Sequence, residues 1–139
     1  MFEKILVAND GSEGAARALS AAIAIAARHG GALHMICVEE LPSFPASIEE
    51  VVEEELDARH RYAAVVERAS AQAKAQGISL ETHVVAGHAV QAICDFVQRE
   101  GFDLLVVGYM GHSALYNRLI GGTTDRLVEH APCNVLVIK

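Results

Sequence analysis

Apolar and polar positions alternate along the chain in blocks that read as strand, helix, strand. Lys4–Ala8 (KILVA) is an apolar run closed by the turn-rich Asn9-Asp10-Gly11-Ser12. A helix follows: Ser12 caps its start, apolar residues crowd Ala15 to Ala27, and Gly30-Gly31 stop it. Ala32–Val38 (ALHMICV) reads as a second strand, and Leu41 to Pro45, with two prolines, as a loop. Ser47 to Gln76 reads as one long helix, with Ser47 and Glu50 as a capping box and Gly77 beyond its end. Ile48, Val52, Leu56, Ala63, Val66 and Ala73 recur at helical spacing and form its expected buried face. Ser79–Val85 (SLETHVV) is a strand with polar residues interleaved, as at a sheet edge. Ala89, Ile93, Phe96 and Val97 mark a short helix closed by Gly101. Asp103–Val107 (DLLVV) reads as an internal strand, and Asn134–Ile138 (NVLVI), after a further loop and helix, as the last.

Alternating strands and helices with nearly continuous apolar strands predict one α/β domain spanning residues 1–139. The expected architecture is a doubly wound, five-stranded parallel sheet of order 3-2-1-4-5 with helices on both faces. The last strand is then an edge, and the apolar Val135, Leu136, Val137 and Ile138 make it a surface for pairing with a second copy.

Composition narrows the function classes. The chain is 52% hydrophobic and 21% charged, a globular balance, and only 5% aromatic, so its core is expected to be aliphatic. A formal charge of −7 argues against a nucleic-acid or anionic-membrane surface. No apolar stretch reaches the roughly 20 residues that span a bilayer. Cys37, Cys94 and Cys133 lie far apart and in or beside apolar runs, without zinc-ligand spacing; they read as small buried hydrophobes. Their odd number, with no signal peptide at the start, leads to the expectation of a cytoplasmic protein. The acidic run Glu53-Glu54-Glu55 is a solvated helix face, and the scattered His34, His83 and His88 carry no assignment.

Ligands of open parallel sheets bind at the carboxyl ends of strands, where the strand order reverses. Two such ends stand out here: Asn9-Asp10-Gly11-Ser12 after the first strand, and Gly108-Tyr109-Met110-Gly111 after the fourth. A P-loop is absent, as is a G-x-G-x-x-G after the first strand. What remains is Gly108, Gly111 and then Gly121-Gly122-Thr123-Thr124 opening a helix. Glycines admit a phosphate close to the backbone, and free amides at a helix start attract it. The hydroxyls of Thr123 and Thr124 can reach phosphate oxygens or a bound Mg²⁺. Each piece also has a plainer reading: Asp-Gly-Ser as a turn with a helix cap, the glycines as tight turns.

In combination these residues resemble the universal stress protein family. KILVANDGSE resembles the family's ILVAxDGSE opening. VVAGHAVQAICDFVQREGFDLLVVGYMG resembles its middle signature, and HAPCNVLVIK its last strand. Gly108, Gly111 and Gly121 have the spacing of its ATP-binding motif, G-2x-G-9x-G-[ST], with Gly122 where that motif carries a hydroxyl. The resemblance implies a regulatory, homodimeric protein that binds ATP, or AMP or ADP, with Mg²⁺. Asp10 would contact adenine or ribose, with Ala8, Asn9 and Val38 lining the base pocket. Val107 and Gly108 would close it, Gly111 would admit the ribose-phosphate, and Gly121, Gly122, Thr123 and Thr124 would hold phosphates. Mg²⁺ would arrive with the nucleotide, with Thr124 as its candidate ligand. Asn9 replaces a commoner apolar residue and is expected to alter how the base edge is read. No catalytic residues are marked, so slow ATP hydrolysis is at most a minor activity. The alternatives are a nucleotide-free dimeric adaptor, which Gly122 favours, and an adenine-nucleotide hydrolase-like enzyme.

Overall fold

The computed structural model describes residues 1–41, 47–109 and 122–139. Its elements run β1 (Lys4–Ala8), α1 (Glu13–His29), β2 (Ala32–Glu40), α2 (Ile48–Ala75), β3 (Leu80–Gly87), α3 (Ala89–Glu100), β4 (Leu104–Gly108), α4 (Gly122–His130) and β5 (Asn134–Ile138). All pairings are parallel and the order is β3-β2-β1-β4-β5, as expected, with the strand order reversing between β1 and β4.

Strand alternation explains why the strands read as continuous apolar runs. Ile5, Val7, Leu33, Met35, Cys37, Leu104 and Val106 point into one layer, under the small-residue face Ala18, Ala22 and Ala26 of α1 and under Ala69 and Ala73 of α2. Leu6, Ile36, Leu105 and Val107 point the other way, against Ile93, Phe96 and Val97 of α3 and Leu127 of α4. The first layer is aliphatic in its buried residues; the second adds Phe96 and Phe102. Cys37 is fully buried, and burial, with Asp10 nearby, pushes its thiol up to about 12, so it stays protonated as a core residue. Cys94 and Cys133 are partly buried against the second layer.

The predicted caps are present. Ser12 Oγ accepts from the Ala15 amide at 3.2 Å, Ser47 Oγ from the Glu50 amide at 3.2 Å, and Gly30 ends α1 in the left-handed region at φ 66°. The expected buried face of α2 needs correction. Ile48, Val52 and Leu56 are exposed, as is Ala63, whereas Ala58, Ala69 and Ala73 are buried and Tyr62, Val65 and Val66 pack on the core. Ala63 faces outward between the core-packing Tyr62 and Val65; for Ile48, Val52 and Leu56 the cause is length. Twenty-eight helical residues span about 42 Å, but the nine residues of β2 rise only about 30 Å, so the first turns of α2 overhang the sheet. Among the described residues, no helix is long and apolar enough to cross a membrane.

Candidate functional site

The reversal between β1 and β4 leaves a crevice at the carboxyl ends of the strands, and a cavity of about 390 Å³ opens there. Ala8, Asn9, Asp10, Val38, Val107, Gly108, Thr123 and Thr124, all anticipated from the sequence, line it together. Gly122 opens α4 next to them, exposed and, among the described residues, with no atom within 4 Å of a Cβ placed on it. Gly111 and Gly121, expected to admit the ribose-phosphate and hold phosphate, lie outside the described residues.

The loop after β1 is built by its own side chains. Asn9 Oδ1 accepts from the Gly11 amide at 2.9 Å and Asp10 Oδ1 from the Ser12 amide at 3.0 Å, which turns the chain into α1 through Gly11 at φ 85°. Asn9 also donates through Nδ2 to Met35 Sδ at 3.4 Å and is 6% exposed. Both ends of its amide are therefore engaged, the oxygen with the loop and the nitrogen with Met35.

Gly108 has a different reason to be glycine from the one its neighbours suggest. A Cβ here would stand 2.7 Å from both C and O of Gly14 and 3.1 Å from the Ala15 amide nitrogen. The end of β4 thus lies against the backbone of the first turn of α1, closer than any side chain allows. Thr124, 6% exposed, donates from Oγ1 to the Gly108 carbonyl at 2.7 Å and latches α4 onto the same strand end. Its hydroxyl proton is committed to that bond, whereas Thr123 beside it is exposed.

Several lining residues gave no signal in the sequence. Ile36, Ile93 and Leu127 add apolar surface, and Tyr62 comes from α2 and donates to the Val38 carbonyl at 3.4 Å. Burial, reinforced by Cys37, Glu39 and Asp10 nearby, pushes its phenol up to about 12. Glu39 and Glu40 add carboxylates. Arg61 Nη2 pairs with Glu39 at 2.8 Å, and Glu40 Oε2 accepts from the Ala89 amide at 3.0 Å at the start of α3. A carboxylate therefore already occupies the amino end of α3. The described lining includes three carboxylates, Asp10, Glu39 and Glu40, and no lysine or arginine. Such a site can offer an apolar slot, hydrogen-bond acceptors and helix amides, with no basic side chain from the described lining.

A model of the Universal stress protein family matches residues 1–139. The Thermus aquaticus protein known as "Universal stress protein in QAH/OAS sulfhydrylase 3'region" is 34% identical over 140 residues, spanning 100% of both chains. Universal stress protein UspA from Lactobacillus plantarum superposes with a TM-score of 0.86 at 30% identity, over 99% of this chain and 98% of that one. A universal stress protein solved in complex with cAMP superposes with a TM-score of 0.75 at 27% identity, over 99% and 97%.

Proposed function

Since the chain belongs to the universal stress protein family, we propose that it is a cytoplasmic regulatory protein that binds an adenine nucleotide, ATP or its mono- or diphosphate, in the crevice between β1 and β4. The observation that carries this reading is the convergence of eight anticipated residues on one cavity at the switch point. The similar protein solved with cAMP supports an adenosine phosphate as the ligand class. Ala8, Ile36, Val38 and Val107 supply an apolar slot for the base. Asp10, at its mouth, accepts hydrogen bonds from ribose hydroxyls or the adenine amine. The phosphates lie toward the amides of Gly122 and Thr123 at the start of α4. Because Asp10, Glu39 and Glu40 share the cavity, Mg²⁺ arriving with the nucleotide would offset the phosphate charge, with Thr124 as the candidate residue to hold it.

Titration calorimetry with Mg-ATP tests this reading, and Gly122 supplies a gain-of-function arm. No described residue comes within 4 Å of its Cβ, so Gly122→Ser adds a hydroxyl at the proposed phosphate position without a clash among the described residues. One added neutral hydrogen bond contributes about 0.5–1.5 kcal/mol, so Gly122→Ser should bind roughly two- to tenfold more tightly than wild type. Equal affinity would mean that the phosphates do not sit at the start of α4.

The proposed assembly is a homodimer through β5. This strand pairs with β4 on one side and forms an edge of the sheet, with Val135, Leu136, Val137 and Ile138 only partly buried. Val137→Lys should sediment as a monomer where wild type sediments as a dimer. A dimer that persists in the variant counts against pairing through this edge.

A further inference from the structure

A second group of chemistry-bearing side chains lies toward the other end of the sheet, away from the crevice. His34 stands near the amino end of β2 opposite Glu81 of β3, and His83 pairs with Ile36 two residues further along. Strand alternation puts all three side chains on one face, and the contacts of His34 with Phe102 and of His83 with Phe96 place that face on the α3 side. His34 Nδ1 lies 3.1 Å from Glu81 Oε2 and 3.1 Å from His83 Nε2. One ligand atom from each residue falls within 4.8 Å of the others, and no other trio of histidine, cysteine or carboxylate does so among the described residues. None of the three lines the nucleotide cavity.

A proton serves this arrangement poorly. If His34 Nδ1 carries it, one N–H is divided between a carboxylate and an imidazole nitrogen. If it does not, its lone pair can accept from His83 Nε2–H but still faces the carboxylate oxygen. A divalent cation satisfies all three lone pairs at once. We propose that His34, Glu81 and His83 form a binding site for a first-row divalent transition-metal ion, Zn²⁺ being the probe of choice, with a further position left to water.

The donor set and spacing fit that ion. Two imidazoles and one carboxylate suit zinc and its neighbours, whereas Mg²⁺ and Ca²⁺ favour oxygen ligands. Bonds of about 2.0–2.1 Å in a tetrahedron set neighbouring ligand atoms roughly 3.3 Å apart, close to the two separations of 3.1 Å. The two rings are parallel within 3°, so sharing an ion requires one to turn about χ2, a soft torsion in histidine. Phe96 at 4.6 Å from His83 and Phe102 at 5.0 Å from His34 wall the inner side. Glu81, 69% exposed in its side chain, closes the outer side. Two cations lie against these aromatic walls: Lys4, over the Phe102 ring and paired with Glu100 at 3.9 Å, and Arg99, over the Phe96 ring. An ion held here clips the edge strand β3 to β2 and should raise the melting temperature.

The test titrates untagged protein with ZnCl₂ alone by calorimetry, and with Co²⁺ by visible absorption. Wild type should take up one Zn²⁺ per chain and show the ligand-field bands of Co²⁺ in a nitrogen and oxygen site. Loss even of an outer-shell partner weakens metal sites about 10- to 100-fold, so Glu81→Gln and His83→Gln should each weaken zinc binding by at least about tenfold. Glu81 is exposed, so that variant keeps its fold, which circular dichroism verifies. Absence of stoichiometric zinc binding, or binding that either variant leaves unchanged, as zinc held by the cysteines would be, overturns the proposal.

Discussion

Replacing Gly108 by alanine is expected to destabilise the protein by about 1–3 kcal/mol, the range for overpacking a well-filled interior. The added methyl would stand 2.7 Å from the backbone of Gly14, and backbone cannot rotate aside as a side chain can. The first turn of α1 is also held in place, by the Ser12 cap and by the Asn9 and Asp10 bonds to the loop amides. Relief therefore requires α1 to lift off β4 or the end of β4 to bend away, which strains the Thr124 latch on the Gly108 carbonyl. For a domain of this size the melting temperature should fall by roughly 3–10 °C. Gly122→Ala is the control: its Cβ meets no described residue within 4 Å, and its melting temperature should stay near that of wild type. Equal melting temperatures for wild type and Gly108→Ala would contradict the close approach of strand and helix.

Val38→Trp should abolish adenine-nucleotide binding while leaving the fold in place. Val38 ends the apolar part of β2, is half-buried, and faces the cavity on the same layer as Ile36 and Val107. An indole there extends into the cavity, where it displaces no packed neighbour among the described residues, and it occupies the slot proposed for the base. Pockets of this class bury most of a small ligand's surface, so losing the slot should weaken binding on the order of 100-fold or more. The Tyr62 hydroxyl bonds to the Val38 backbone carbonyl and is indifferent to the side chain. Calorimetry with Mg-ATP and a melting curve separate the two effects. Wild-type affinity in Val38→Trp would place the base elsewhere.

Much of the fold was legible because both faces of the sheet are covered. Strands such as Ile5-Leu6-Val7 and Leu104-Leu105-Val106-Val107 must be apolar at every position, and that pattern is distinct from a one-sided helix. The helix ends were legible because Ser12, Ser47, Gly30 and Gly101 do local chemistry that needs no tertiary context. The N-terminal half of α2 misled: periodicity reports an amphipathic helix but not how far the sheet extends beneath it, and Ile48, Val52 and Leu56 run past that support. At the site, turn residues and glycines pointed to the strand ends. Tyr62, Glu39 and Glu40 did not stand out, because their part depends on where α2 and α3 cross the crevice. Gly108 shows the same limit in reverse: a glycine after a strand signals a close approach, and only the fold reveals that the partner is a helix backbone. His34, Glu81 and His83 are 49 residues apart at the extremes, and only the β2–β3 register joins them.

The most direct test of nucleotide binding is to denature the purified protein and identify any released small molecule by mass spectrometry. An adenine nucleotide at near one per chain in wild type, and none from Val38→Trp, is the expected result. A wild-type protein that releases none, and that shows no calorimetric signal or thermal shift with Mg-ATP, would contradict it and leave a nucleotide-free dimer as the better reading.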